Sequence, residues 1–523
     1  MNASSPTIAS LRPARLSSGT ASSLTLSLVS CSVIVIGFVL ASENCRHWFV
    51  LPVLLCGIVI GQDAIDWVRG KVDVFSPEGL LGILGILFFF LAPLLHVYWD
   101  EWMRYVNGPS EWRPWLGGMA LANFLGLLIY RVSRRSLIAR STTSLKQRVW
   151  VLDDRRVIWI LPCALGLCAV LQFMVYRRFG GILGYVMTYQ AGLARDAFQG
   201  MGWLFLISES FPLLFVMTYA AIARRHEWMR SWAAVMTLLV LSFPIQMLFG
   251  GLRGSRSNTV TGLFIAVGIV HLCVRPLSRK SLLIMSLPFF LFMYLYGFYK
   301  GLGMEALSAF QGRSAIVAMQ EETGKSVRSL VLWDFGRSDV QAFLLYRVMR
   351  DFADYEYAWG RTYYAAAVLW IPRSLWPGRP VLKVKEGTEA IAGMGSYVPR
   401  RRESSRVYGL AGETILNFSP LMIPFAFGVW GIAVGWVSAV KSALYHFDSR
   451  LLLVPLAVIT CFSLLQGDSD NIAVMLMRKG VFPFLCVLAC SRIGIVAEEL
   501  KTSLMQRGEV GETRQELGTK GVS

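Results

Sequence analysis

Charged side chains are scarce in this chain. Only 16% of its 523 residues are charged, whereas 55% are hydrophobic. The apolar residues form runs long enough to cross a bilayer, which an ordinary soluble domain lacks. The one long stretch of ordinary composition is at residues 300–415. The composition therefore excludes a soluble globular protein and leaves room for one membrane domain with one large loop.

Cysteine and histidine are also few. Eight of the nine cysteines lie within or at the ends of apolar runs, and only Cys45 falls in a loop predicted to be external. No disulfide framework can be built from them, so cysteine serves here as small apolar filler. Asp468 and Asp470 come nearest to a metal motif, and a polar turn is the stronger interpretation of that pair. We expect no metal ion and no cofactor.

The net charge is strongly positive, at +18. Nucleic-acid binding would account for such a charge, but most Lys and Arg side chains stand in short loops between apolar runs. Basic residues in such loops set the orientation of the protein and contact lipid headgroups. We therefore expect the lipid bilayer as a partner and no nucleic acid.

The apolar runs predict an all-α polytopic membrane protein with about twelve transmembrane helices. Most runs approach the length of about 20 residues that a helix needs to cross the hydrocarbon core. The second, eighth and eleventh are shorter and are expected to be tilted or half-buried. The predicted spans are residues 23–41, 47–61, 77–97, 114–130, 157–175, 201–222, 231–250, 259–273, 281–299, 416–440, 451–466 and 474–492.

Basic loops indicate the orientation. With a cytoplasmic N-terminus, four basic segments fall inside: 131–156, the loop around Arg224, 274–280, and the stretch that holds Lys441 and Arg450. This agreement predicts a bacterial inner-membrane protein with both termini in the cytoplasm. The predicted divisions are a disordered tail at 1–22, spans 1–9 at 23–299, a large periplasmic or external loop at 300–415, spans 10–12 at 416–492, and a tail at 493–523.

Two arginines stand where the orientation rule disfavours them. Arg253 and Arg256 lie in the short external loop 251–258 and would share one face of a helix. One interpretation is that they extend to lipid phosphates. The other is a pyrophosphate-bearing ligand, because the guanidinium fork matches phosphate oxygens better than an ammonium does.

The large loop holds further basic residues. Arg373 is surrounded by prolines in the segment 370–385, which restrict the backbone and would hold the side chain in one place. The run from Arg400 to Arg402 has the simpler interpretation of a solvated basic surface.

The order of several motifs resembles the bacterial O-antigen and exopolysaccharide polymerases of the Wzy type. The first two motifs are FGGILGYVMTYQAGLAR at 179–195 and GLRGSRSNTV, which follows a span. The later three are GRSDV at 336–340, GRTYYAAAVLWIPRSLWPGRP at 360–380 and YGLAGETILNF at 408–418. The resemblance covers roughly residues 160–440. Neither the segment before residue 150 nor the tail after Ala497 carries a matching motif.

The resemblance implies an inverting, metal-independent glycosyltransferase with a GT-C-like fold. Its donor would be an undecaprenyl-pyrophosphate-linked oligosaccharide, polymerised on the outer face of the membrane, with a flippase and a chain-length regulator as further partners. The residues that the resemblance assigns to pyrophosphate binding are Arg253, Arg256, Arg361 and Arg373, with Arg195 as a weaker candidate. Glu413 and Asp339 become candidates for the catalytic base.

The chemistry explains these residue types independently. Displacement of a pyrophosphate from a sugar needs a base on the acceptor hydroxyl and positive charge on the leaving group. Both acids have a structural alternative. Asp339 begins an amphipathic stretch, where an acidic residue stabilises a helix N-terminus. Glu413 lies just before an apolar run and could instead form an ion pair with an arginine of the same pocket.

Three rival functions remain open on the sequence. A lipid-linked glycan ligase would need similar arginines but relies on a loop histidine, and all five histidines lie outside 300–415. A flippase would show repeats and charged or broken helices, which the sequence shows only sparsely. Glu209, inside the sixth span, is interpreted equally as a contact between helices or as part of a substrate path. A scaffold without activity is the third rival.

Overall fold

The computed structural model describes residues 20–103, 106, 108–140, 148–190, 200–253, 256–303, 305–306, 312–350, 355–399, 401–404 and 406–495. Within these ranges, ten helices are long and apolar enough to cross a membrane. They are α1 (Thr20–Ala41), α2 (Val50–Val68), α3 (Pro77–Tyr98), α4 (Arg113–Arg140), α5 (Asp154–Arg178), α7 (Gly202–Ala223), α9 (Arg256–Val274), α10 (Arg279–Leu302), α16 (Pro420–Ala443) and α18 (Ser469–Cys490).

Two further apolar helices are shorter, namely α8 (Trp232–Leu248) and α17 (Val454–Gln466). Every predicted span coincides with one of these helices. The predicted second span was too short, because it stopped before the polar residues Gln62 and Asp63. The helix continues to Val68 because arginines of α4 neutralise Asp63. The shortness predicted for the eleventh span is confirmed, but the eighth, α9, is longer than predicted, at 19 residues. The seventh, α8, is shorter than predicted.

Three spans are irregular at their centres. A π-helical turn, Ile86–Leu91, interrupts α3, and another, Met477–Val481, interrupts α18. In α7 the helix breaks at Glu209 and Ser210 between its two regular parts. Such breaks within spans are typically found at functional positions or where other groups replace the lost backbone bonds.

The remaining described elements are short. They include strand β1 (Arg148–Leu152), α6 (Ile182–Gln190), α11 (Arg313–Thr323), α12 (Ser338–Arg350), α13 (Arg361–Ala367), α14 (Val384–Ala392), α15 (Gly409–Asn417) and strand β2 (Ser491–Ile495). The strands pair antiparallel, with Trp150 opposite Ile493. This small sheet was not expected from the sequence, and it joins two segments that were predicted to be cytoplasmic.

Other contacts also group the loops into two sides. Asp73 and Lys441 come from two segments predicted to be cytoplasmic, and Asp73 also pairs with His271, at the predicted cytoplasmic end of the eighth span. On the opposite side, Arg328 pairs with Glu101 across two loops predicted to be external. The alternation of the helices therefore agrees with the predicted arrangement, while the assignment of one side to the cytoplasm stays a prediction.

The large loop is not a separate layer. Its helices α12 and α15 contribute Phe343, Leu344, Ile415 and Leu416 to the same hydrophobic core as the spans. Helices α4 and α16 pack closely beneath them. Gly431 of α16 is so near to α4 that a Cβ atom added there would lie 2.5 Å from the Tyr130 carbonyl oxygen. The polar residues of the loop are consequently held on a rigid base.

Candidate functional site

Glu413 lies in the middle of α15 and is buried, at 3% exposure. Its Oε1 accepts hydrogen bonds from Thr362 Oγ1 at 2.7 Å and from Ser469 Oγ at 2.5 Å. Its Oε2 accepts a bond from the backbone N–H of Ser469 at 2.7 Å. The described partners are hydroxyl and amide groups rather than an arginine, so the ion pair considered from the sequence is not formed. We call Glu413, Thr362 and Ser469 the acid pocket.

Asn417 ties the pocket to the start of α13. Its Nδ2 donates to the Thr362 hydroxyl at 2.7 Å and to the Glu413 carbonyl at 2.9 Å. Its Oδ1 accepts from the backbone N–H of Gly360 at 3.1 Å. Gly360 has a φ of +84°, a conformation that suits glycine. The GRT and GETILN motifs are thus joined through one asparagine that sequence reasoning had not selected.

A buried ion pair borders the acid pocket. The ammonium of Lys383 contacts the carboxylate of Asp468, and both side chains are almost completely buried. Asp468 Oδ1 also accepts from the backbone N–H groups of Tyr408 and Gly409, at 2.9 and 2.8 Å. Asp470 lies 3.8 Å from the same ammonium. The two aspartates therefore anchor the loop to α18.

These charges act on Glu413. Burial raises the pKa of Glu413 above its ordinary value, while its hydrogen bonds and the charge of Lys383 act in the opposite direction. Burial lowers the pKa of Lys383, which nearby Asp470 and Glu413 counteract. Arg337 is close enough to lower the pKa of Lys383 as well. The pocket thus holds a carboxyl poised to exchange a proton nearer to neutral pH than a solvated glutamate.

The second candidate base, Asp339, lies in the first turn of α12, as expected from the sequence. It is buried at 1% exposure, and neither carboxylate oxygen has a hydrogen-bond donor among the described residues. His96 Nε2 lies 3.9 Å from Asp339 Oδ1, while His96 Nδ1 is 2.7 Å from the Glu101 carbonyl. Asp339 thus occupies the helix N-terminus that its structural alternative predicts, close enough to Arg337 for the two charges to interact.

The predicted pyrophosphate-binding arginines have different environments. Arg256, at the start of α9, forms two bonds with Asp334, of which one is 2.7 Å long. Arg361, next to Thr362, is 44% exposed and pairs with the buried Glu386 at 2.7 Å. Arg256, Arg337 and Asp334 influence one another electrostatically. The structure thus brings Arg256, Asp339, Arg361 and Glu413 to one side of the molecule.

Arg373 is exposed and is not the arginine that the proline turn holds. That residue is Arg379, whose NH1 donates to the carbonyls of Leu369 and Ile371 at 2.7 and 2.8 Å. The prolines were expected to hold the Arg373 side chain in one place. Instead, the backbone of this turn directs the Leu369 and Ile371 carbonyls towards the Arg379 side chain. Arg195 and the side chain of Arg253 lie outside the described residues.

The loop that carries Arg253 is held by tyrosines. Tyr296 donates to the Gly251 carbonyl at 2.5 Å and Tyr299 to the Leu252 carbonyl at 3.1 Å, both from α10. A third tyrosine, Tyr176 of α5, donates to the Leu248 carbonyl. The backbone at Arg253 therefore has defined supports on two helices.

A second charged cluster lies within the spans, at the breaks of α7 and α18. Glu209 accepts from Asn258 at 3.1 Å and lies 3.7 Å from Arg478. Lys479 is 1% exposed and donates to Gln246 at 3.2 Å. Charged side chains within the described spans are therefore less sparse than the sequence suggested.

The fold and these sites define a helical membrane protein with a buried acid pocket at one end of its spans. Among the described residues, no three His, Cys, Asp or Glu side chains are grouped as metal ligands. Searches against protein-family models, curated proteins and solved structures find no match. The resemblance to the Wzy-type polymerases therefore stays a prediction from the motifs.

Proposed function

We propose that this protein polymerises undecaprenyl-pyrophosphate-linked oligosaccharide repeat units on the outer face of a bacterial inner membrane. The proposal includes twelve spans and a GT-C-like arrangement. The observation that carries it is the burial of Glu413 among hydroxyl and amide donors, with no arginine bonded to it among the described residues, while Arg361 stands beside its partner Thr362. Such a carboxyl can accept a proton, and the arginines can stabilise a pyrophosphate.

In this mechanism Glu413 takes the proton of the acceptor hydroxyl while the oxygen attacks the anomeric carbon of the donor. The bond from that carbon to the pyrophosphate oxygen breaks, and the carrier leaves as its pyrophosphate. Thr362 and Ser469 both donate to Oε1, so the acceptor hydroxyl would replace one of these two donors. Arg361 stands beside Thr362 and is accessible to a pyrophosphate.

The test is reconstitution of the purified protein with lipid-linked repeat units in vesicles. A ladder of lipid-linked polymers, absent when the protein is omitted, is the expected result. Transfer of single units only onto an acceptor lipid without pyrophosphate would instead show a ligase. Neither polymer nor ligated product would overturn the proposed activity.

A flippase is the second candidate, and one observation favours it. Transporters typically have interrupted spans with charged residues. The broken helix at Glu209 and the buried Lys479 are features of this kind, which the sequence did not reveal. Movement of a fluorescent lipid-linked sugar from one leaflet to the other, without formation of a glycosidic bond, would support this function and exclude the polymerase.

A further inference from the structure

A groove of about 530 Å³ lies between the last three spans, α16, α17 and α18. Its volume is in the range of small-molecule sites, which is about 300–1,000 Å³. Almost every side chain along it is apolar, and the one hydroxyl, on Thr460, donates to the Leu456 carbonyl of its own helix. The only other polar groups that its described lining offers are the Trp436 indole N–H and the Cys461 thiol, so the groove suits an apolar ligand.

The groove opens sideways, towards the lipid that would surround the spans. Trp436, Val481 and Leu485 line it and are 52–55% exposed. Small residues form part of the wall, with Ala433 on α16, Ala457 on α17 and Gly480 on α18. A side chain added at Gly480 would already lie 3.3 Å from Leu456. The small residues thus leave the space between the helices open.

One end of the groove lies close to the acid pocket. Leu464 of α17 lines the groove. The carbonyl of the next residue, Leu465, is close to Gly409, the first residue of α15, since a Cβ atom added at Gly409 would lie 2.8 Å from it. On α18, Leu476 lines the groove two turns, or about 10 Å, beyond Ser469. Ser469 donates to Glu413. A chain lying in the groove would therefore have its end about 10 Å from the pocket.

From this geometry we infer that the groove binds the isoprenoid chain of the lipid-linked substrate and so places its pyrophosphate beside the acid pocket. The inference rests on the proposed function for the identity of the substrate. The occupant is a hydrocarbon because the lining of the groove is almost entirely apolar. It is the chain of the substrate, and not of a bulk phospholipid, because one end of the groove lies within about two helical turns of the pocket where the headgroup reacts.

The first test fills the groove. Ala457→Trp and Ala433→Trp should each raise the KM for a repeat unit on a full-length carrier by about tenfold, which corresponds to the loss of contacts with roughly two methylene groups. The KM for the same sugar on a two-isoprene carrier should stay within about twofold, because that chain is too short to lie along the groove. Val170→Trp, on the exposed face of α5, is the control and should change neither value.

The second test needs no turnover and covers variants that fold poorly. Undecaprenyl pyrophosphate with a photoreactive group near its distal end should crosslink to α16, α17 or α18 in the wild-type protein, and excess unlabelled carrier should prevent this. If crosslinks form but no polymer is made from any substrate, the groove is supported and the proposed function fails. If polymer is made but neither substitution alters the ratio of the two KM values, the groove inference is wrong. Equal labelling by photoreactive phosphatidylglycerol would also overturn it, since the groove would then hold bulk lipid.

Discussion

Two buried carboxylates on opposite sides of the molecule, Asp63 and Glu413, have very different partners. Asp63 accepts bonds from both terminal nitrogens of Arg134, at 2.7 and 3.0 Å, and a third from Arg131 at 3.3 Å. Among the described residues, Glu413 has only hydroxyl and amide donors. A buried acid that is neutralised by arginines holds helices together, whereas burial of one without a bonded cation is costly and favours the proposal that Glu413 serves as a base.

The comparison predicts the largest effect on turnover for Glu413→Gln. The amide keeps the size of the side chain but cannot accept the proton, so the transfer rate should fall by about 10²–10⁴-fold. Protein yield and thermal stability should stay close to those of the wild type. The measurement is single-turnover transfer with lipid-linked repeat units.

Glu389→Gln provides the matched control, because Glu389 is also buried in the loop but lies outside the acid pocket. Its transfer rate should remain near that of the wild type. Near-normal turnover in Glu413→Gln would show that Glu413 is not the base. Glu413 would then have a structural role, like Asp63.

Asp63→Ala should have the opposite profile. Its removal leaves the buried Arg134 without its partner, which typically costs about 3–5 kcal/mol of stability. The loss should appear as a lower unfolding midpoint in mixed micelles, while the transfer rate per folded molecule stays unchanged. The exposed pair of Arg46 and Glu43 offers a control, since Glu43→Gln should cost only about 0–1 kcal/mol.

Arg373→Ala sharpens the comparison at the pyrophosphate. Arg373 is exposed, so its removal should leave the fold intact. If it binds the pyrophosphate, the loss of a charged hydrogen bond should raise the KM about 10- to 100-fold. Arg373→Lys should restore little of this loss because it lacks the guanidinium fork. Arg402→Ala, in the basic surface, should leave the KM unchanged, and an equal effect of both would indicate non-specific attraction.

The smallest effect concerns pH. Burial raises the pKa of Glu413, so its acid form should persist above the ordinary pKa of about 4.5. As a base it acts only when ionised, and the transfer rate should fall about tenfold per pH unit below the raised pKa. Because the folded pKa exceeds that of the unfolded chain, ionisation of Glu413 opposes folding, and its contribution to stability is lost as the pH rises through the folded value. A flat pH–rate profile in the wild type down to pH 4 would contradict this.

The apolar helices that the structure describes could be predicted from the sequence alone, because the length of an apolar run is a local property, and the charge of the adjacent loops predicts their orientation. The motif positions also fixed Glu413, Arg361 and Asp339 as candidates. The environments of these residues were decided by tertiary structure. Only packing brings Thr362 and Ser469 to Glu413 and joins Lys383 to Asp468. Packing also decides that the proline turn binds Arg379 and not Arg373. Burial and hydrogen-bond partners depend on residues far apart in the chain, so no local pattern determines them.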